Sequence, residues 1–497
     1  MMQLSRLLDA LPEKTVSKQH DASVAAVVHD SRLVGPGDVF VALRESSGND
    51  GRAYIANAVE RGAIAIVQEQ VRPKPVPSAA TDIRVPDTNA ALAILSAHRY
   101  GYPSDSLSLI GVTGTNGKTS VCHMVESILM ADKMHTGFVG TTGYRFDGNS
   151  LPEGPHHTTP YSDELQCLLR NMADQGAECV VMEVSSHALA LERVAGMTFK
   201  IAAFTNLTQD HLDYHGSLNE YRDAKLSLFL NHLSEDGMGV VNLDDPVASD
   251  FIDASGARCV TYGRSSRAEI SLGGLTTYGD GGMHITVSTP NGSIPLHVPL
   301  IGRYNEANIL AAVAIAHSMG LKDSAIISGL ANIAIPGRLE SIDEGQPYRV
   351  IVDFAHTPDA LESVLTALRP ATEGRLIVVF GCGGDRDAEK RPMMGEIAAN
   401  SADVVIVTSD NPRSENPESI IKDVVAGLGD KGSHSALVNR MDAIAKAFAV
   451  ARKGDTVLLA GKGDELFQYI GDQHIEFDDR EVARTLLQNE FSGALVL

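Results

Sequence analysis

A chain of 497 residues with 63 acidic and 41 basic side chains, a formal charge of −22, exceeds what one hydrophobic core usually supports, so several domains are expected. The charge argues against a nucleic-acid or anionic-membrane partner, because neutralising phosphates needs a basic face. Cys122, Cys167, Cys179, Cys259 and Cys382 are scattered without a C-x-x-C pair and fit a reducing cytosol, and no apolar run is long enough to span a bilayer; a cytoplasmic protein follows as the expectation.

In residues 1–88, the runs Val24 to Val28, Asp38 to Leu43 and Ala63 to Val67 alternate with a helix-like stretch from Tyr54 to Arg61, suggesting a small α/β unit. His29-Asp-Ser-Arg32 follows a strand directly. Ser31 there could donate to a uracil or a phosphate, or serve only in a turn. Arg72-Pro-Lys-Pro-Val-Pro77 is a surface loop.

Residues 89–336 open with Leu109-Ile-Gly-Val-Thr-Gly-Thr-Asn-Gly-Lys-Thr-Ser-Val121, an apolar run, a glycine-rich turn and a helical pattern. This is the layout of a phosphate-binding loop at a helix N-terminus. The N–H groups of Gly114, Thr115, Asn116 and Gly117 would cradle phosphate, Lys118 would supply a positive charge, and the Thr119 hydroxyl would meet Mg²⁺. Gly111 lies one residue too far for the generic spacing. Thr158-Thr159-Pro160 reads as a helix start or a ligand contact. The apolar run Cys179 to Val184 carries Glu183, for which a magnesium ion or a salt bridge is the natural partner. Asp210, His211, Asp213 and His215 crowd together as a metal or phosphate site would. On the helix-like stretch Leu218 to Leu230, Lys225 shares a face with Tyr221, Leu228 and Phe229. It should be ion-paired there, or else be a neutral, reactive amine. Asn305 and Asn308 near a helix start could meet a nucleotide or cap the helix.

Residues 337–497 repeat strand–helix alternation, which predicts a doubly wound sheet. Polar clusters follow the strands at Asp353, at Gly381 to Asp387, at Asp410-Asn-Pro-Arg413, and at Gly461-Lys-Gly-Asp-Glu465. Arg386 and Arg413 offer forks for carboxylates and Glu465 could hold an ammonium, so the set suits a zwitterionic amino acid. The Gly381 to Gly384 turn lacks G-x-G-x-x-G spacing, which argues against a nicotinamide cofactor.

Thr113-Gly-Thr-Asn-Gly-Lys-Thr119, Glu183-Val-Ser-Ser-His187, Asp210-His211, Tyr304-Asn-Glu-Ala-Asn308, Gly337-Arg338 and Asp353-Phe-Ala-His-Thr-Pro358 stand in this order, and in them the chain resembles the Mur ligases of peptidoglycan synthesis. His29-Asp-Ser-Arg32, Gly383-Gly-Asp-Arg-Asp387 with Lys390-Arg-Pro392, and Asp410-Asn-Pro-Arg413 resemble the MurE type of that family. The resemblance implies three α/β domains: a UDP-sugar domain over 1–88, a central ATPase domain over 89–336 and a Rossmann-like domain over 337–497. It implies an ATP-dependent amide ligase extending UDP-N-acetylmuramoyl-L-alanyl-D-glutamate by meso-diaminopimelate. By the same resemblance Lys118 and Thr119 bind ATP phosphates and Mg²⁺, Glu183 and His211 serve magnesium, and Asn305, Arg338 and Asp353 contact the nucleotide. Lys225 corresponds to a carbamylated lysine that becomes a metal ligand. Ser31, Thr158, Thr159, Ser185 and Arg193 fall where the family holds the UDP-muramyl substrate, and Arg386, Asp410, Asn411, Pro412, Arg413, Gly461 and Glu465 fall where it holds the amino acid. Asp464 replaces the family's usual histidine. A monomer is expected. The competing readings are the lysine-adding relative, a folylpolyglutamate synthetase-like ligase, and a nucleotide-dependent switch protein, against which no Asn-Lys-x-Asp guanine reader is found.

Overall fold

The computed structural model describes residues 2–17, 21–44, 50–151, 157–279, 282–429 and 433–492. Three sheets carry the architecture. In the first, Val27–Val28, Val39–Val41, Ala65–Glu69 and Thr81–Val85 pair in parallel, and Thr15–Ser17 joins antiparallel at the edge. The helix Thr88–Arg99, which the sequence reading placed in the middle segment, buries Ala91, Leu92 and Leu95 in the core of this sheet. Its amphipathic face belongs with the preceding strands, and the next sheet begins only at Ser108. His29 ties this first unit to the second: its Nδ1 lies 2.8 Å from Asp163 and its ring stacks on Tyr161.

The second sheet has 12 strands. At its centre Thr136–Gly140, Cys179–Glu183, Ser108–Thr113, Phe199–Phe204, Leu233–Asn242 and Cys259–Gly263 run parallel in that order. Near-continuous apolar runs suit these strands because both faces are covered. The helices Lys118–Ala131 and Arg303–Ser318 share one core, whereas Ser162–Asp174 and Leu218–Asn231 share the other. Register pairs Glu183 with Val112 and Phe204 with Thr113, so the chemistry-bearing ends of three strands reach the same edge.

The third sheet has six strands in the order Glu340–Ile342, Arg349–Asp353, Thr456–Ala460, Leu376–Phe380, Val404–Thr408 and Ser433–Leu437. All pairings are parallel except the first. Apolar cores lie on both faces, as a doubly wound sheet requires. Below its functional edge, Arg440 and Asp479 form an ion pair with both side chains fully buried. Two bonds of 2.7 and 2.6 Å join them, and the guanidinium also donates to the carbonyl oxygens of Ser409 and Ala460. The C-terminal helix is thereby fastened to the last turns of two strands. Asp479→Ala would strand a buried cation, which costs about 3–5 kcal/mol; urea unfolding of the variant is expected to show a clearly lowered midpoint, and an unchanged midpoint would refute this account of the pair.

Candidate active site

Between the second and third sheets lies a cavity of about 1680 Å³ lined from both. On the central side the chain leaves the strand Ser108–Thr113 and turns through Gly114 and Gly117, both at positive φ, into the helix Lys118–Ala131. A Cβ at Gly114 would stand 1.8 Å from the Thr205 hydroxyl, and one at Gly117 would stand 2.4 Å from Asn308 Oδ1, so both glycines are required by close packing. Two of the expected phosphate-cradling amides are engaged within the protein: Thr115 N donates to Asn206 O at 2.8 Å, and Asn116 N to Asn206 Oδ1 at 2.9 Å. Lys118 Nζ folds back onto the carbonyl oxygens of Gly114 and Thr115, each at 2.8 Å.

Glu183 is almost fully buried, and burial pushes its carboxyl up despite the nearby Lys118 charge. It accepts from the Thr119 hydroxyl at 2.9 Å and from Thr141 N at 2.8 Å. Among the described residues it has no ion pair, so the salt-bridge alternative fails. His211 sits beside Asp210, with Nε2 3.3 Å from the carboxylate, and burial pushes its pKa down to about 3, which leaves the ring neutral.

The ion pair expected for Lys225 is likewise not found among the described residues. Its Nζ, 1% exposed, donates to Gly114 O at 2.9 Å and lies 4.2 Å from the Tyr221 ring centroid. Burial, reinforced by Lys118, drives its pKa well below that of an ordinary lysine. Helical periodicity had shown that this side chain points inward; what it meets is a carbonyl of the phosphate loop, contributed from far away in the chain.

The other expected residues divide into those that line the cavity and those that do not. Thr115, Asn116, Gly117, Lys118, Thr119, Thr158, Glu183, Ser185, Arg193, His211, Arg338, Asp353, Arg386, Asp410, Asn411, Arg413, Gly461 and Glu465 line it; Gly114, Thr159, Lys225, Asn305 and Pro412 are not among its lining residues, nor is Ser31 of the first unit. Thr159 is fully buried and bonds Glu183 O and Ser185 N, fixing the loop rather than facing the cavity. Asn305 accepts from Asn308, which itself lines the cavity. Arg338 pairs with Asp464 at 2.7 Å and lies over the Phe354 ring, 4.1 Å from its centroid. Asp353 accepts from the N–H groups of Leu339 and Ala355, yet burial still pushes it up to about 6.

On the opposite wall Asn411 Nδ2 donates to Glu465 Oε2 at 2.8 Å, and the fully buried Lys462 donates to the same oxygen at 2.9 Å. Arg413, in the left-handed region, is held by Gly384 O at 2.7 Å. Asp410 Oδ2 is buried without a hydrogen-bond partner among the described residues, 2.6 Å from where a Cβ at Gly461 would stand. A buried acceptor of this kind asks for a donor, and an ammonium supplies one. The phosphate loop also touches the third sheet's unit directly, through Asn116 Nδ2 to Asp359 Oδ2 at 2.9 Å. His356 and Lys390 line the same cavity. The sequence displays both only as members of motifs, with nothing local to mark them as facing a ligand.

No three His, Cys, Asp or Glu side chains among the described residues converge as a self-sufficient metal cluster. Thr119, Glu183 and the neutral His211 nevertheless fit Mg²⁺, which keeps several waters and usually takes one or two carboxylates with substrate phosphates.

Family models match most of the chain: "Mur ligase family, catalytic domain" at residues 23–100, "Mur ligase middle domain" at 112–316, and "Mur ligase, glutamate ligase domain" at 337–463. The UDP-N-acetylmuramoyl-L-alanyl-D-glutamate–2,6-diaminopimelate ligase of Geobacillus thermodenitrificans is 43% identical over 98% of this chain and 99% of its own length. Its namesake in Syntrophomonas wolfei is 41% identical with the same coverage of both chains. A solved structure of a ligase of that name superposes with a TM-score of 0.65 at 32% identity, covering 98% of this chain and 99% of that one. An ADP complex of the MurF ligase from Thermotoga maritima shares the fold with a TM-score of 0.64 at 20% identity, covering 95% of this chain and 97% of that one. From its loop, its paired sheets and these end-to-end likenesses, the chain belongs to the Mur ligase family.

Proposed function

We propose that this chain is a cytoplasmic ATP-dependent amide ligase that joins meso-diaminopimelate to UDP-N-acetylmuramoyl-L-alanyl-D-glutamate in peptidoglycan precursor synthesis. One observation carries the reading: a phosphate loop from one sheet and a clamp suited to a zwitterion from another open onto a single cavity. Relatives above 40% identity over nearly their whole length bear the name of that activity.

Carboxylate is a poor electrophile, so the D-glutamate side chain must first be activated. Its oxygen takes the γ-phosphoryl of ATP and ADP departs, leaving an acyl phosphate. The amine of the diamino acid then adds to the carbonyl carbon, and phosphate leaves as the amide forms. Lys118 offsets charge on the phosphates, the electrostatic term that dominates such transfers. Magnesium, when bound, would neutralise the transferring phosphoryl, and Thr119, Glu183 and His211 are the groups to hold it. Lys225, whose burial drives its pKa well below that of an ordinary lysine, gives up its proton readily and so can capture CO₂ as a carbamate, which would add an anionic ligand beside them. Asp410 and Glu465 suit the ammonium of the incoming amino acid, while Arg386 and Arg413 suit its carboxylates. The Asn116–Asp359 contact keeps the two walls together, which helps exclude water from the labile intermediate.

Purified protein should release phosphate from ATP only when both the muramyl dipeptide nucleotide and meso-diaminopimelate are present; turnover with neither would sink the reading. Arg413→Ala should lower kcat/KM for meso-diaminopimelate by about 10- to 100-fold, the loss of a hydrogen bond to a charged group, and initial rates with diaminopimelate and L-lysine side by side check it. Intact use of diaminopimelate by that variant would defeat the assignment of its second carboxylate to Arg413. Isotopically labelled bicarbonate should enter the wild-type protein at a lysine carbamate and not enter Lys225→Arg. Equal labelling of both would place the carbamate elsewhere.

A further inference from the structure

Lys390 is the first residue of the helix Lys390–Ser401 and is 92% buried, with 8% of its surface accessible. It lines the cavity, and among the described residues its ammonium makes no hydrogen bond and no ion pair. Its neighbour shows the contrast. Arg391 is held by Glu415 at 2.7 Å and by Asp423 at 3.0 Å. The backbone beneath Lys390 is fixed by close packing, since a Cβ at Gly427 would stand 1.9 Å from Pro392 O and one at Gly395 would stand 2.1 Å from Val424 O.

A lysine at the first position of a helix faces the positive end of the helix dipole, and burial adds a desolvation cost. Among the described residues no group offsets either cost by direct contact. The ammonium lies between the two walls: its charge bears on Asp210, beside His211 on the nucleotide side, and on His356. His356 in turn feels both Asp210 and Asp410, the latter on the amino-acid side. A cation in that position is placed for an anion formed between ATP and the amino acid.

We propose that Lys390 is a catalytic residue whose ammonium binds the acyl phosphate and offsets the charge that develops on its carbonyl oxygen during amine attack. The inference rests on the ligase reading above. In the step concerned, the amine nitrogen forms a bond to the carbonyl carbon and the C=O π pair moves onto oxygen, opposite Lys390. The pair then returns, the bond from carbon to the phosphate oxygen breaks, inorganic phosphate leaves with those electrons, and the surplus proton of the nitrogen passes to solvent. Lys390 keeps its own protons throughout.

The test compares full-length wild type, Lys390→Met and Lys390→Arg with ATP, the muramyl dipeptide nucleotide and meso-diaminopimelate. Lys390→Met is expected to lose about 100-fold in kcat, the scale of removing one donor to a developing oxyanion, with KM for ATP and for the diamino acid nearly unchanged. Lys390→Arg should recover part of the rate. Titration with a non-hydrolysable ATP analogue reports the fold of each variant, and Lys390→Gln replaces Lys390→Met if the latter fails to bind it. No turnover by the wild type overturns the ligase reading and this inference with it. Turnover by the wild type matched by a folded, uncharged variant overturns the role of Lys390 alone, as does a loss confined to KM.

Discussion

One carbonyl oxygen organises the nucleotide side of the cavity. Gly114 O accepts from Lys118 Nζ at 2.8 Å and from Lys225 Nζ at 2.9 Å, so two lysines converge on a single buried acceptor. Two ammonium groups so close in a low dielectric repel each other strongly, and the group with less compensation loses its proton. Burial lowers the pKa of both; Lys118 has Glu183 and Asp210 acting in its favour, whereas Lys225 has Asp210 alone against burial and Lys118. The loop lysine therefore keeps the better claim on its charge, and Lys225 is the one that gives up its proton more readily. The unequal hold of the two lysines on their protons follows from one geometric fact. That fact needs Gly114 at a φ of 145°, where a side chain would strike Thr205.

The second constraint is the linker between the central and C-terminal units. Asp353 ends a strand of the third sheet and accepts from Leu339 N at 2.7 Å, gripping the linker at a residue already in the left-handed region. Gly337 just before it packs so closely on the Gly463-Asp464 backbone that a Cβ would stand 2.2 Å from Asp464 N. The linker is thus held by the very strand ends that carry the polar clusters, and the two walls of the cavity are set relative to each other at their hinge as well as through Asn116 and Asp359.

The sequence made the phosphate loop, the parallel sheets and the strand-end clusters legible, because each is a local pattern: glycines before Lys-Thr, near-continuous apolar runs, polar residues directly after them. It misled where the partner lies far away in the chain. Periodicity shows that Lys225 points inward but says nothing of Gly114 opposite it, so an ion pair looked more natural than a carbonyl. The amides of Thr115 and Asn116 looked free for phosphate because nothing local reveals Asn206 behind them. Ser433–Leu437 was not recognised as a strand, since the segment His-Ser-Ala-Leu lacks the apolar run that marks its neighbours; it lies at the sheet edge, where that run is not needed.

Asp464 shows how a departure in sequence is absorbed by structure. A carboxylate opening onto a cavity that must accept nucleotide phosphates would repel them if left bare. Its side chain is 9% exposed, and its charge is met at 2.7 Å by Arg338, whose guanidinium carbon lies 4.1 Å from the Phe354 ring centroid. The pair is mutual: Arg338 neutralises the acid, and the acid holds the arginine at the linker, where the Phe354 ring adds a cation–π contact. A carboxylate at this position therefore does not stand bare toward the cavity, but it does cancel positive charge that Arg338 would otherwise present there. What changes is the freedom of Arg338, which a histidine could not tether by charge in the same way.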